Sequence, residues 1–210
     1  MDFNYFKNNV STIKNSPIGG LDSQFILAPK LRLKYSQNKI KMLNPKKAAV
    51  IALFFPNEQG KTCFLLTLRA NYNGTHSSQI SFPGGKYDTK DRSLKNTAVR
   101  ETFEEVGTPI SDISIFKQMT EVFIPPSNFL VTPFLGYLKN PPSFKKNHEV
   151  EELISISVED LLSDSSISTT NVSTSYANKI EVPCFVLNNY IVWGATAMIL
   201  NEIRQLLKNI

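Results

Sequence analysis

The sequence predicts an α/β fold in which a mixed β-sheet lies between helices. Strand-like apolar runs outnumber helical segments. One clear helix falls in mid-chain, at residues 93–106, and another closes the chain at 194–207. Helices set apart by so many strands pack on both faces of one sheet. At 210 residues the chain is long enough for one domain with a sizeable core.

The elements follow in order. Residues 3–13 suit a short helix, which Pro17-Ile18-Gly19-Gly20 breaks. Residues 31–35 alternate apolar and basic side chains and read as a strand or a loose arm. Residues 1–44 as a whole read as an N-terminal extension whose role is not legible; the main domain covers 45–210. Residues 48–55 make a buried strand and 63–69 a second. Asn57-Glu58-Gln59-Gly60 between them is turn chemistry, so the two form a hairpin. A short strand at 79–82 runs into Pro83-Gly84-Gly85. Gly107 and Pro109 stop the helix at 93–106. Strands at 113–123 and 129–138 flank Pro125-Pro126, and 152–156 adds another before a short helix at 158–162. Ser, Thr and Asn crowd residues 163–178, where an exposed loop or a flexible hairpin is expected. Strands at 180–187 and 190–193 lead into the amphipathic last helix.

Composition excludes several classes. A hydrophobic fraction of 41% with 14 Phe is too high for a disordered chain. Lys and Arg number 23 against 18 Asp and Glu, a net charge of +5. That surplus is spread along the chain, so it suits a polyanionic partner in general and does not single out nucleic acid. Cys63 and Cys184 sit among apolar neighbours and read as buried free thiols; two cysteines make neither a disulfide scaffold nor a Cys-only zinc site. His76 and His148 are too few for a His-rich metal site. No secretory signal is visible, and no apolar run approaches the ~20 residues that span a bilayer. A cytoplasmic protein without a membrane partner is therefore expected.

The most informative segment is the helix at 93–106. At about 100° per residue, Leu94, Ala98, Val99, Thr102, Phe103 and Val106 cover one half of its wheel. Glu101, Glu104 and Glu105 fall at i, i+3 and i+4 on one side. Like charges at that spacing cost an isolated helix a few tenths of a kcal/mol per pair, roughly 0.2–0.5. A bridging hard divalent cation, which prefers oxygen ligands, reverses that cost. Taken alone, the three glutamates read more readily as a solvated acidic face.

The surrounding residues change that balance. Gly85, five residues, Asp91, eight residues, then Arg100-Glu101-Thr102-Phe103-Glu104-Glu105-Val106-Gly107 resembles the Nudix box. Asp91 stands where that box has its first Glu, one residue further from the arginine than usual, and Thr102 and Thr108 occupy positions that are usually apolar. Leu65-Leu66-Thr67-Leu68-Arg69, then His76-Ser77-Ser78-Gln79-Ile80-Ser81-Phe82-Pro83-Gly84-Gly85-Lys86, is similar to the coenzyme A diphosphatase branch of Nudix hydrolases, whose box carries the same extra residue. Ser78 replaces a Gly usual in that run. Val131-Thr132-Pro133, Glu149-Val150 and residues 190–197 also look like this branch, so the resemblance covers about residues 45–208.

The resemblance implies a Nudix α/β/α sandwich with a mixed sheet between helices. It implies hydrolysis of the pyrophosphate in coenzyme A or its thioesters, giving 3′,5′-ADP and 4′-phosphopantetheine or its acyl form. Glu101, Glu104 and Glu105 would be the catalytic and metal-binding carboxylates for Mg²⁺ or Mn²⁺, with Glu101 a candidate proton acceptor. Arg100 would orient the glutamates through ion pairs. Arg69, Gln79 and Gly85 would bind substrate, and Glu149 would add a metal ligand or base, although an exposed loop acid reads as well. Trp193 reads more readily as a core anchor than as a base-stacking platform. The alternatives are a Nudix pyrophosphatase for ADP-ribose, NADH or a nucleoside triphosphate, and a non-catalytic Nudix ligand sensor. Loss of a box glutamate would have favoured the sensor, and all three are present. The expected partner is a small coenzyme A-like dinucleotide and not a nucleic acid. A monomer or a homodimer is expected.

Overall fold

The computed structural model describes residues 1–70, 79–140, 142–174 and 177–210. Five short helices come first: α1 (Phe3–Asn8), α2 (Val10–Asn15), α3 (Gly20–Phe25), α4 (Lys30–Leu33) and α5 (Gln37–Met42). The strands are β1 (Lys46–Pro56), β2 (Thr62–Arg69), β3 (Ile80–Ser81), β4 (Gly84–Lys86), β5 (Ile113–Gln118), β6 (Val122–Ile124), β7 (Phe129–Leu138), β8 (Val150–Ser157), β9 (Ile167–Thr174), β10 (Ala177–Leu187) and β11 (Tyr190–Trp193). Among them lie α6 (Leu94–Val106) and α7 (Val158–Leu162), and α8 (Gly194–Leu207) follows.

An eight-stranded sheet runs β3-β2-β1-β7-β5, with β4 paired to β1, β6 to β7 and β8 to β2. The β1–β7 pair is parallel and the rest are antiparallel, so the sheet is mixed. The expected β1–β2 hairpin forms, with Phe54 opposite Phe64. A separate antiparallel sheet, β11-β10-β9, carries the segment expected as a loop or hairpin.

Period-two alternation along β1 sorts its side chains between two cores. Ala49, Ile51, Leu53 and Phe55 face α6, where Ala98 and Val106 meet them. Ala52 and Phe54 face the other way, toward Met198, Ile199 and Ile203 of α8. The sheet thus has helices on both faces. Ser93 caps α6, its hydroxyl accepting from the Asn96 amide at 3.2 Å, and left-handed Gly107 ends it. Phe103 departs from the wheel and is 47% exposed.

Four local expectations need correction. Residues 31–35 are not a strand: Pro29 sits at the N-cap of α4, a single helical turn that buries Arg32. The helix expected over 3–13 is two, because Asn9 leaves helical geometry between α1 and α2. The strand expected over 113–123 is likewise two, β5 and β6, both paired to β7. Gly84–Lys86 forms a strand that was expected only as a turn.

Residues 1–44 pack into the larger core. Phe6 and Ile13 are fully buried there, and the Phe6 ring lies 4.8 Å from that of Phe54. Cys63 and Cys184 are buried free thiols. Among the described residues, no helix is long and apolar enough to cross a membrane.

Candidate active site

Strand β4 brings the glycine turn against α6. Gly84 has φ +144°, and a Cβ there would overlap the Ala49 carbonyl oxygen. A Cβ on Gly85 would overlap the Glu101 carboxyl. Glycine at both positions lets the strand lie directly on the glutamate helix.

The three glutamates diverge in environment. Glu105 is 3% exposed. Its carboxylate accepts from the Gly84 amide at 2.9 Å and faces Arg69 Nη1 at 3.4 Å. Burial outweighs both contacts and pushes its pKa up to about 7. Glu101 sits against Gly85, and burial raises its pKa too, opposed by Arg100 at 2.9 Å. Glu104 is half-exposed and pairs with Arg100 at 3.1 Å.

Arg100 joins the box together. It also donates from Nε and Nη2 to Asp91, both at 2.9 Å, and from Nη2 to the Lys86 carbonyl oxygen at 3.3 Å. Asp91 is buried and further accepts from Thr97 Oγ1 at 2.8 Å. The Arg100 contact, followed by that of Thr97, holds the Asp91 carboxyl well below the usual range. Asp91 is therefore the joint between the loop and the helix.

Arg69 ends β2, and its amide donates to the Gln79 carbonyl oxygen at 3.1 Å. Its Nη2 lies 4.0 Å from the exposed carboxylate of Glu149. Glu149 adds repulsion at both Glu101 and Glu105, which places it on the same side of the site. Arg69, Gln79, Gly84, Gly85 and Lys86 line a cavity of about 370 Å³ on the α8 side of the sheet. Trp193, half-buried, lines the same cavity and is not part of the core. His76 and Ser78 lie outside the described residues.

A NUDIX domain model matches residues 45–172, more than half of the chain. The chain belongs to the Nudix family. It is 34% identical over 142 residues to the Nudix hydrolase NudL of Yersinia pestis (strain Pestoides F), a protein described as uncharacterised. That similarity covers 67% of this chain and 70% of NudL. The NudL of Yersinia pseudotuberculosis (serotype O:1b) matches to the same extent. A crystal structure of the Nudix hydrolase RenU from M. Smegmatis shares the fold: TM-score 0.56, 18% identity, 79% of this chain and 88% of that one. The protein is a Nudix hydrolase, of a family that acts on small nucleotide derivatives and uses divalent metal ions.

In this Nudix chain the box carboxylates do not meet at one point. Among the described residues, no three acidic, His or Cys side chains converge closely enough to hold one ion. Arg100 draws Glu101 and Glu104 to one side, while the Gly84 amide and Arg69 hold Glu105. The donor set nevertheless suits a hard divalent cation: three carboxylates from one stretch of helix and a fourth, Glu149, close enough to repel two of them.

Sequence reasoning missed two parts of the site. Pro125, Pro126 and Phe123 form an apolar wall of the cavity, and α4 contributes Pro29, Leu31 and Arg32. The only signal for the second was an arginine between two leucines, an alternation read as a strand or a loose arm.

Proposed function

We propose that this Nudix hydrolase cleaves the pyrophosphate of coenzyme A or acyl-coenzyme A. The products are 3′,5′-ADP and 4′-phosphopantetheine or its acyl form. The observation that carries the reading is the shared lining of one cavity. Arg69 and Gln79, from the segment similar to the coenzyme A branch, line it together with Gly84 and Gly85, which rest on the glutamate helix. Its apolar walls and size suit a small organic ligand.

Glu101, Glu104 and Glu105 would hold the divalent ion, Mg²⁺ or Mn²⁺, with Glu149 as a further ligand or base. That ion, when bound, screens the pyrophosphate charge and makes a water more acidic. Arg100 keeps Glu101 and Glu104 oriented through its ion pairs. Glu101, packed against cavity-lining Gly85, accepts the proton of the attacking water. Water adds to one phosphorus, the bridging P–O bond breaks, and each half leaves as a phosphate monoester. Arg69 and the backbone of Gly85 bind the substrate phosphates.

The test is incubation of the pure protein with coenzyme A and Mg²⁺, followed by chromatography for 3′,5′-ADP. Turnover of ADP-ribose or NADH with none of coenzyme A would overturn the substrate and leave the family untouched. Glu105→Gln is expected to abolish metal-dependent turnover, and full activity in that variant would discredit the ligand assignment.

A further inference from the structure

One wall of the cavity comes from outside the family match. Arg32 of α4 is 3% exposed and lines the cavity. Its Nη1 donates to the Tyr35 carbonyl oxygen at 3.0 Å, and its guanidinium lies 5.1 Å over the Phe25 ring. Its Nε is buried without a hydrogen-bond partner. Among the described residues no carboxylate forms an ion pair with it, whereas Arg69, Arg100 and Arg204 each have at least one. Burial lowers its pKa, but an arginine keeps its charge in a protein.

A buried cation without a counter-ion is costly, and one hydrogen bond to Tyr35 and the face of the Phe25 ring offset only part of that cost. A ligand that supplies the anion removes that cost. The Nε–Nη2 edge of a guanidinium matches two oxygens of a phosphate. In the proposed reaction the scissile pyrophosphate already has its partners in Arg69 and the backbone of Gly85. We propose that Arg32 binds a phosphate monoester carried elsewhere on the substrate, so that residues 1–44 supply a specificity element of the site. This rests on the coenzyme A reading, since coenzyme A carries such a group on its ribose.

The experiment is calorimetric titration of the full chain with adenosine 3′,5′-bisphosphate, with AMP and with inorganic phosphate, for the wild type and for Arg32→Met and Arg32→Lys. The wild type is expected to bind the bisphosphate at least tenfold more tightly than AMP or inorganic phosphate. Arg32→Met should bring the bisphosphate down to the AMP level without lowering the melting temperature, and Arg32→Lys should recover part of the difference. In the turnover assay, Arg32→Met should raise KM for coenzyme A about tenfold against a smaller change in kcat. Equal wild-type affinities for bisphosphate and AMP overturn the proposal. So does a parallel loss for both nucleotides with a lowered melting temperature, because Arg32 then only packs α4 onto Phe25 and Tyr35. Inorganic phosphate binding as tightly as the bisphosphate also overturns it. If coenzyme A is not hydrolysed at all, the substrate reading fails, and the nucleotide titration still decides Arg32.

Discussion

At the scale of single residues, the two box glycines make different predictions. The Cβ of Gly84→Ala would strike backbone, the Ala49 carbonyl oxygen, at a positive φ that L-residues rarely adopt. Stability should fall by about 2–4 kcal/mol in chemical denaturation. The Cβ of Gly85→Ala would strike only the far end of the Glu101 side chain, which can swing aside. Stability should stay within about 1 kcal/mol of wild type while kcat falls tenfold or more, because Glu101 loses its seat. Asp91 gives the pH prediction. Its pKa in the fold lies below the unfolded value of about 3.9, so its stabilisation is fully present above that pH and is lost as pH falls below it. Asp91→Asn should cost about 1–3 kcal/mol at pH 7, and the gap to wild type should narrow by pH 3 in urea titrations. The glutamate spacing and Arg100 were legible in the sequence because a helix fixes both. The pull of Arg100 on two glutamates was only partly legible, since Lys86 reaches it from the end of β4 and Asp91 from the loop that follows.

At the scale of elements, periodic segments with strong end signals are the ones the sequence places well. Helix α6 has Ser93 and Gly107 at its ends, and α7 and α8 match their expected limits. Short elements held by tertiary contacts are the ones it misplaces. Strand β4 exists because two glycines can pair with β1, and α4 is one turn resting on its neighbours. Helix α3 is anchored by the fully buried Glu202 of α8. That carboxylate accepts from the Gly20 amide at 3.0 Å, from Gln24 Nε2 at 3.0 Å and from Thr120. Asn201 Nδ2 adds a bond to the Ser23 carbonyl oxygen at 2.7 Å. Glu202→Ala removes the acceptor shared by Gly20, Gln24 and Thr120, of which Gln24 is buried and keeps only its bond to the Thr120 carbonyl oxygen at 2.9 Å; a buried donor left unsatisfied costs about 1–3 kcal/mol. The variant should show a lower melting temperature and faster proteolysis within residues 16–44 than elsewhere.

At the scale of the whole molecule, the sheet needs residues 1–44 on its α8 face. Phe3, Phe6, Ile13 and Leu27 belong to the core that also holds Phe54, Phe64 and Ile203. Burying each such side chain is worth about 1.5–3 kcal/mol. Four of them therefore match the net stability of an average domain, about 5–15 kcal/mol. Hydrogen bonds to the main chain reinforce the packing: the Phe3 amide donates to the Gly60 carbonyl oxygen at 2.9 Å, and the Lys117 side-chain Nζ donates to the Lys14 and Ser16 carbonyl oxygens at 2.7 Å. Composition could not announce this, because short helices broken by Pro17 and Pro29 look like linker until their apolar faces find a sheet. The same helices also wall the cavity through Pro29, Leu31 and Arg32. A chain of residues 45–210 should consequently lack a cooperative thermal transition, although it contains all of the family match. A sharp calorimetric peak within a few degrees of the full chain's would show that the arm is an accessory layer. Loss of the peak, with recovery when residues 1–44 are restored carrying intact Phe3, Phe6, Ile13 and Leu27 but not when these are alanine, would assign the stability to those four contacts.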